Sequence, residues 1–516
     1  MRKAVLVWFV VILPLLVCQC RKSAQTDIDL MELTVARIHQ AYKDKRYSCA
    51  QLVQAYIDRI GKYDEQINSI TLINPRALEI ARGLDREFAK TGKLRPLHGI
   101  PMIVKDNFNT RGLPTTGGSL ALKDFVPAED AFMVARLKKA GAVIIAKSNM
   151  AEWAFSPMHT ESTTAGTTRN PYNPDYVPAG SSGGTAAAIA ANFGVIGLGT
   201  DTGNSIRGPS SHNALVGFRP TLGLVSRHGI IPLYLRNDVG GPMCRTVEDA
   251  ARVLEAIAGY DANDPITSHS EGRIPDHYTR FLDKDGMKGA RIGVLRALSE
   301  DHPDPEIKAL FEQAIADIKS MGAEIIDPVG IPGFKNLQEN QWCDDFRQDI
   351  EAYLAEFVRN DKLKTLEDII QAGSKSRYAK ESLDYFAKHA GRPEHPDTPC
   401  LDAFTDARRS AFRQAIEERM DELQLDAIIY PTWNNRPAHI DAFQEEYKGD
   451  SNQIIAPHTG QPAFTVPMGV TTGDLPAGLQ FLGRMFAEPT LIKLVYAYEQ
   501  ATKHRTLPKG YPLTVK

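Results

Sequence analysis

Between residues 100 and 200, short apolar runs alternate with helix-patterned segments, and that alternation confines the chain to an α/β architecture. Residues 100–104 and 142–146 read as strands, and residues 131–140 between them read as a helix. A small-residue helix over 185–192 leads into a compact strand over 194–198. Strands interleaved with helices in this way build a mixed or parallel sheet. Ligand sites in such sheets favour the loops beyond strand carboxyl ends. The loop carrying Ser205 is therefore where a catalytic group is expected.

The rest of the chain extends this pattern. Val35, Ile38 and Ala41, then Leu52, Val53, Tyr56 and Ile60, recur at helical spacing within 29–61. Ser48 with Gln51 three residues on predicts a capping box. Residues 76–91 and 491–501 read as further helices, and 426–431 and 463–467 as core strands. Residues 170–180 are rich in Pro, Asn and Gly and form a loop. The stretch 260–400 is more polar and predicts peripheral helices, with one sheet segment near 290–295. No repeat, low-complexity tract or linker interrupts the chain. We expect a single domain over 27–512, with its chemistry concentrated in 99–245.

The formal net charge is only −3, from 60 Lys and Arg against 63 Asp and Glu, which argues against a nucleic-acid partner. The first twenty residues differ from the rest. Arg2 and Lys3 precede an apolar run to Val17, the pattern of a secretory signal peptide. The run is short for a membrane-spanning helix, which needs about 20 apolar residues. Cys18 and Cys20 close it, and a cysteine there resembles a bacterial lipoprotein's acylation site. Val17 and Gln19 stand at the −1 positions, where a small residue is usual. A lipid tether at Cys18 or Cys20, a leader cleaved elsewhere and a retained anchor all remain open, and export to the periplasm or cell envelope is expected. The other cysteines, Cys49, Cys244, Cys343 and Cys400, are widely separated and show no C-x-x-C. They indicate neither a zinc site nor a disulfide framework, and four buried or partly buried thiols are expected, although in an oxidising envelope one pair, which the sequence does not identify, could bridge.

Three short segments carry the candidate chemistry. Lys105 ends the apolar run Ile100-Pro101-Met102-Ile103-Val104. Ser181 and Ser182 lie in Ala179-Gly180-Ser181-Ser182-Gly183-Gly184. Ser205 closes Gly199-Thr200-Asp201-Thr202-Gly203-Asn204-Ser205 and precedes Ile206-Arg207. A serine hydroxyl is a weak nucleophile until a neighbouring base takes its proton. The tight turn before Ser205 leaves successive N–H groups free to face a developing oxyanion. Lys105 follows four apolar residues, so burial should depress its pKa. A shift of about 3 units makes the amine a base near neutral pH. Asp106 should point to the opposite face. Ser181 and Ser182 also suit a helix N-cap. Gly180-Ser181-Ser182-Gly183-Gly184 formally fits the G-x-S-x-G nucleophile elbow, but that motif needs a strand immediately before it, and residues 173–178 make a poor one. His159 and His212 lie near the motifs, so a Ser–His pair is a further alternative. No metal-ligand constellation occurs, and H-E-x-x-H is absent.

Taken together and in this order, the three segments resemble the amidase signature family. The likeness continues through Lys147-Ser148-Asn149-Met150-Ala151-Glu152-Trp153, Thr168-Arg169-Asn170-Pro171, Gly217-Phe218-Arg219-Pro220-Thr221-Leu222-Gly223, Gly241-Pro242-Met243 and Gly460-Gln461-Pro462-Ala463. It reaches Val466-Pro467-Met468-Gly469 and Gly478-Leu479-Gln480 near the end of the chain. The leader and the closing stretch look most like exported bacterial peptide amidases. The resemblance implies a large, mixed, twisted central β-sheet flanked by helices on both faces. It implies Ser205 as nucleophile, Ser181 as a bridging serine after a cis peptide bond, and Lys105 as terminal base. It implies an oxyanion hole from the backbone of Thr202, Gly203, Asn204 and Ser205, with Ser182 and Arg207 as supporting hydrogen-bonders. The implied substrate is a small-molecule amide or a C-terminal peptide amide, and neither cofactor nor metal is implied.

One position departs from the family. Gly-Gly-Ser is usual where this chain has Gly203-Asn204-Ser205. Asparagine tolerates positive φ better than most residues, so the turn should survive, with consequences for the oxyanion geometry and the acyl pocket. Specificity should come from loops within 260–400 and around 432–458. Two other functions compete. One is the glutaminase-type component of a tRNA-dependent amidotransferase, which needs partner subunits. The other is a non-catalytic binding protein on the same fold.

Overall fold

The computed structural model describes residues 28–343, 345–389 and 400–511. The expected leader, with Cys18 and Cys20, lies outside the described residues. In chain order the strands are β1 (Ile70–Ile73), β2 (Pro101–Lys105), β3 (Val143–Ser148), β4 (Glu161–Ser162), β5 (Gly166–Thr167), β6 (Ile196–Asp201), β7 (Val216–Arg219), β8 (Val239–Cys244), β9 (Arg291–Val294), β10 (Glu324–Ile326), β11 (Ala427–Pro431), β12 (Ala463–Thr471) and β13 (Leu475–Leu482). Eleven of them form one sheet in the order β1-β3-β2-β6-β8-β7-β12-β13-β11-β9-β10, while β4 and β5 pair by themselves. The sheet is mixed. β3, β2 and β6 run parallel, as do β11, β9 and β10, and the strands from β6 through β8, β7, β12 and β13 to β11 pair antiparallel.

The first seven α-helices are α1 (Val35–Lys43), α2 (Cys49–Tyr63), α3 (Ala77–Thr91), α4 (Phe132–Lys139), α5 (Gly183–Ala190), α6 (Arg207–His212) and α7 (Val247–Ile257). The Ser48–Gln51 capping box forms at the start of α2 as expected. Helices cover both faces of the sheet, as the central glycines show. A Cβ on Gly197 would meet Thr185 and Ile189 of α5. Gly240 lies opposite Thr200 on the neighbouring strand and points the other way, where a Cβ would meet Met133 of α4. β2, β3 and β6 are buried along their whole length, which is why they read as continuous apolar runs.

Several boundaries differ from the sequence reading. The helix expected over 185–192 begins at Gly183, and the strand expected over 194–198 runs on to Asp201. Thr200 and Asp201 therefore belong to the end of a rigid strand and not to a loop. β1, β4, β5, β7, β8, β10 and β13 went unforeseen. β8 reads Val-Gly-Gly-Pro-Met-Cys, whose glycines and proline disfavour a strand locally; tertiary pairing on both sides overrides that preference. The expectation of four thiols also needs correction. Cys49 and Cys244 are free and buried, but Cys343 and Cys400 form a disulfide with their Cα atoms 5.8 Å apart. The chain brings together two cysteines 57 residues apart, which no local spacing reveals. Among the described residues, no helix is long and apolar enough to cross a membrane.

Candidate active site

β2 and β6 are parallel neighbours, with Val104 beside Leu198, so their carboxyl ends share one edge of the sheet. Lys105 is the last residue of β2, and Ser205 lies four residues beyond the end of β6. The antiparallel β8 starts at the same edge, with Val239 opposite Asp201, and brings Asp238 there. Helix α5 packs against β2 and β6 and delivers Ser181 and Ser182 at its N-terminal end. Close backbone approach explains the glycines around them. A Cβ on Gly180 would stand 2.3 Å from the His159 carbonyl oxygen, and one on Gly184 would stand 2.2 Å from that of Asn149. The Gly180–Ser181 peptide bond is cis.

Lys105 is completely buried. Its Nζ donates to Ser181 Oγ at 2.7 Å and to Thr200 Oγ1 at 2.7 Å, and Asn107 Nδ2 donates to the same threonine oxygen at 3.0 Å. Burial pulls the amine down to about 7, against the opposing charges of Asp238 and Asp201. Neither carboxylate pairs with it. Asp106 turns to the other face, as alternation demands, and pairs with Lys147 at 3.2 Å. Asp201 is held by two buried guanidiniums, Arg207 at 3.1 Å and Arg219 at 2.8 Å. Burial alone would raise its carboxyl, but the two arginines outweigh that and hold it well below the usual range.

These contacts shape the turn before Ser205. Asp201 Oδ2 accepts the N–H groups of Ile206 and Arg207. Arg207 also donates to the Gly203 carbonyl at 2.6 Å, and the Thr202 hydroxyl donates to Asp238. Among the described residues, no hydrogen bond takes up the N–H of Gly203, Asn204 or Ser205. Neither Gly203 nor Asn204 has a positive φ, so the turn does not need the conformational tolerance expected of Asn204. Instead, Asn204 Oδ1 accepts the Ser205 hydroxyl at 3.3 Å, and its Nδ2 donates to the Pro157 carbonyl at 3.3 Å. The Lys105–Ser181 contact is closed, and the Ser205 hydroxyl rests on Asn204.

Ser182 donates to the Thr200 carbonyl at 3.1 Å and accepts the Thr200 N–H at 3.3 Å, which locks α5 to the end of β6. No strand precedes it, so the elbow alternative fails. The histidine alternative also finds no support. His159 shares a hydrogen bond with Ser156 Oγ at 2.6 Å and stacks on Phe443. His212 stacks on Trp433, and burial pushes it down to about 3. Among the described residues, neither is hydrogen-bonded to Ser205.

Ser205 opens into a cleft of about 380 Å³. Phe155, Leu233 and Tyr234 form part of its wall, Trp342, Tyr378 and Phe386 come from the polar stretch 260–400, and Tyr447 and Gln453 come from 432–458. Both regions expected to set specificity therefore reach the site, although Tyr378 and Phe386 come from a helix, Arg377–Lys388, rather than from a loop. Sequence reasoning missed Thr200, Asn107, Asp238 and Arg219 as partners. Thr200 sat inside the segment already singled out, but its role depends on the β2–β6 register.

Comparisons with known proteins point to one family. The profile of the Amidase family matches residues 51–492. A probable amidase of Arabidopsis thaliana is 34% identical over 93% of this chain and 92% of its own length. The A-type component of the glutamyl-tRNA(Gln) amidotransferase of Geobacter metallireducens is also 34% identical, over 94% of this chain and 100% of its own. Among solved structures, the native peptide amidase from Stenotrophomonas maltophilia superposes with a TM-score of 0.81 at 37% identity, covering 93% of this chain and 98% of that one.

Proposed function

This chain belongs to the amidase signature family and is an amidohydrolase acting on amide bonds, and from that premise we propose that it cleaves a small-molecule or C-terminal peptide amide through a Lys105–Ser181–Ser205 relay. The carrying observation is the buried 2.7 Å contact between Lys105 and Ser181, with the amine near 7, at the edge of the sheet where Ser205 opens to the cleft. In the neutral enzyme the contact reverses, so that the Ser181 hydroxyl donates to the unprotonated Nζ. Ser205 Oγ leaves Asn204, gives its proton to Ser181, and attacks the amide carbon while Ser181 passes its own proton to Lys105. The oxyanion is held by the N–H groups left open between Thr202 and Ser205. The proton returns through Ser181 to the leaving nitrogen, the C–N bond breaks, and an acyl-enzyme forms on Ser205. Water then enters by the same relay, releases the acid and restores Ser205. Arg207 and Ser182 hold the turn and the helix in register and take no part in the proton transfer.

Mass spectrometry of a mixed amide pool, with primary amides, peptide amides, anilides and fatty amides, tests this reading. One class should disappear with the wild type and persist with Ser205→Ala. Depletion by both proteins would contradict the assigned nucleophile. The likeness to the amidotransferase component supports a second reading, in which partner proteins are required; partner-free turnover of any amide in the pool counts against it. Export to the bacterial envelope belongs to the same proposal. It is supported by the leader-like residues 1–20 and by the Cys343–Cys400 disulfide, since such bonds persist in oxidising compartments. Intact-mass analysis of protein from its native cells tests it. Loss of the leader, with or without a diacylglycerol adduct at Cys18 or Cys20, is expected; a full-length unmodified chain in the membrane fraction would mark a retained anchor, and one in the cytosolic fraction would contradict export.

A further inference from the structure

The cleft over Ser205 is walled by rings, and among the described residues none of its lining side chains carries a charge. A charged group entering it would lose water without gaining a counter-ion, which disfavours acidic and basic acyl groups. The wall nearest the reacting atoms includes Trp342. A Cβ on Gly203, two residues before Ser205, would lie 3.1 Å from Trp342 Cη2. The indole is 47% exposed, unusual for so large an apolar side chain. It is nonetheless fixed in place. The Gln341 carbonyl before it accepts Arg236 Nη2 at 2.6 Å and Arg409 Nη2 at 3.2 Å, and the Asn340 carbonyl accepts an Arg408 guanidinium N–H at 2.9 Å. Cys343 after it is bonded to Cys400. The ring itself meets His458 edge-on, with centroids 4.6 Å apart. An exposed indole pinned on both sides by its backbone, with its edge on the oxyanion turn, is built to receive something flat.

We propose that Trp342 is a specificity-determining residue that selects neutral amides carrying a flat, apolar ring beside the scissile carbonyl. The proposal rests on the amidase reading of the same site and narrows its substrate class. Tyr234 and Phe386 complete the slot, so that a substrate ring packs among aromatic side chains and the carbonyl reaches Ser205. Aromatic packing of this kind favours a ring over a methyl group by about tenfold or more in affinity.

Calorimetric titration of the Ser205→Ala protein reads binding without turnover. N-acetylphenylalaninamide should bind about tenfold more tightly than N-acetylalaninamide, and the α-amide of N-acetylaspartate should bind most weakly. Adding Trp342→Ala should remove most of the aromatic advantage, read as the ratio of the phenylalanine to the alanine amide's affinity, whereas Trp342→Phe should keep most of it. Equal affinities for the three amides, undetectable binding of all three, or a Trp342→Ala protein that keeps the preference would each overturn the proposal. Turnover is measured separately with Ser205 in place. An enzyme that binds with this preference but hydrolyses none of the three overturns the amidase reading and leaves the aromatic slot standing.

Discussion

Lys105 serves as a base only after losing its proton, and its burial sets the pH at which that happens. With the amine near 7, the ammonium form below that pH cannot accept from Ser181, and the neutral form above it can. We predict that kcat/KM for an amide rises with pH through an apparent pKa of about 7, reporting one group in the free enzyme. A profile flat across that pH would contradict this. The unfolded chain holds this proton up to 10.5 while the folded chain releases it near 7, so this group's contribution to stability also rises with pH across that window. Thr200→Val removes an oxygen that accepts from Nζ at 2.7 Å. The amine then loses a partner that favours its charged form and is less well oriented. The activity limb should move to lower pH and kcat should fall by about tenfold, as a steady-state pH series would show. Asn204→Gly frees the Ser205 hydroxyl and opens the cleft beside it. It should fold normally and alter the ranking of substrates in an amide panel, and an unchanged ranking would remove Asn204 from the pocket wall. At this scale the sequence was most legible where candidate chemistry is concentrated in short segments: those around Lys105, Ser181 and Ser205 pointed to one site by their combination and order, since each alone also allowed a structural reading such as a helix N-cap. The rings of the cleft were illegible because Phe155, Tyr234, Trp342 and Tyr447 come from four distant stretches, and nothing local marks an aromatic residue as facing a cavity rather than a core.

The end of β6 is where local structure and chemistry meet. Asp201 ties the strand to α6 through Arg207 and to β7 through Arg219, all three side chains being fully buried. Removing one charge leaves the others uncompensated, so Asp201→Asn should cost about 3–5 kcal/mol in urea unfolding. A loss below about 1 kcal/mol, in the range of an exposed pair, would show that the cluster is not an integrated unit. Elements with strong periodicity or long apolar runs were readable, as with α2, β2, β3 and β11. β8 and β13 were not, because Gly and Pro mask their strand character and only neighbouring strands hold them extended. The Cys343–Cys400 bond was hidden for a related reason: its partners lie 57 residues apart and are brought together by tertiary folding, about which local spacing says nothing.

At the scale of the whole molecule, the two ends of the described chain are stitched together. Arg505 donates to both carboxylate oxygens of Glu32, at 2.8 and 2.9 Å, and Asn192 adds a third bond at 3.1 Å. Burial would raise this carboxyl, but Arg505 and Arg245 outweigh it and bring it to about 2. Its folded pKa lies below the unfolded value of 4.5, so its contribution is complete above pH 4.5 and is lost as pH falls through about 2. Glu32→Gln should lower Tm at neutral pH by roughly 2 °C or more and flatten the acid limb in that window, as thermal scans against pH would reveal. The central claim, that Ser205 is the nucleophile and Lys105 activates it through Ser181, depends on strands and loops drawn from residues 101 to 205. Its most direct test is peptide-mapped mass spectrometry of the chain after timed exposure to a fluorophosphonate across pH. The account predicts one adduct, on Ser205, forming at a rate that rises through pH about 7 and collapses in Lys105→Ala. An adduct on Ser181 or Ser182 instead, or labelling of Ser205 that ignores both pH and Lys105, would contradict it.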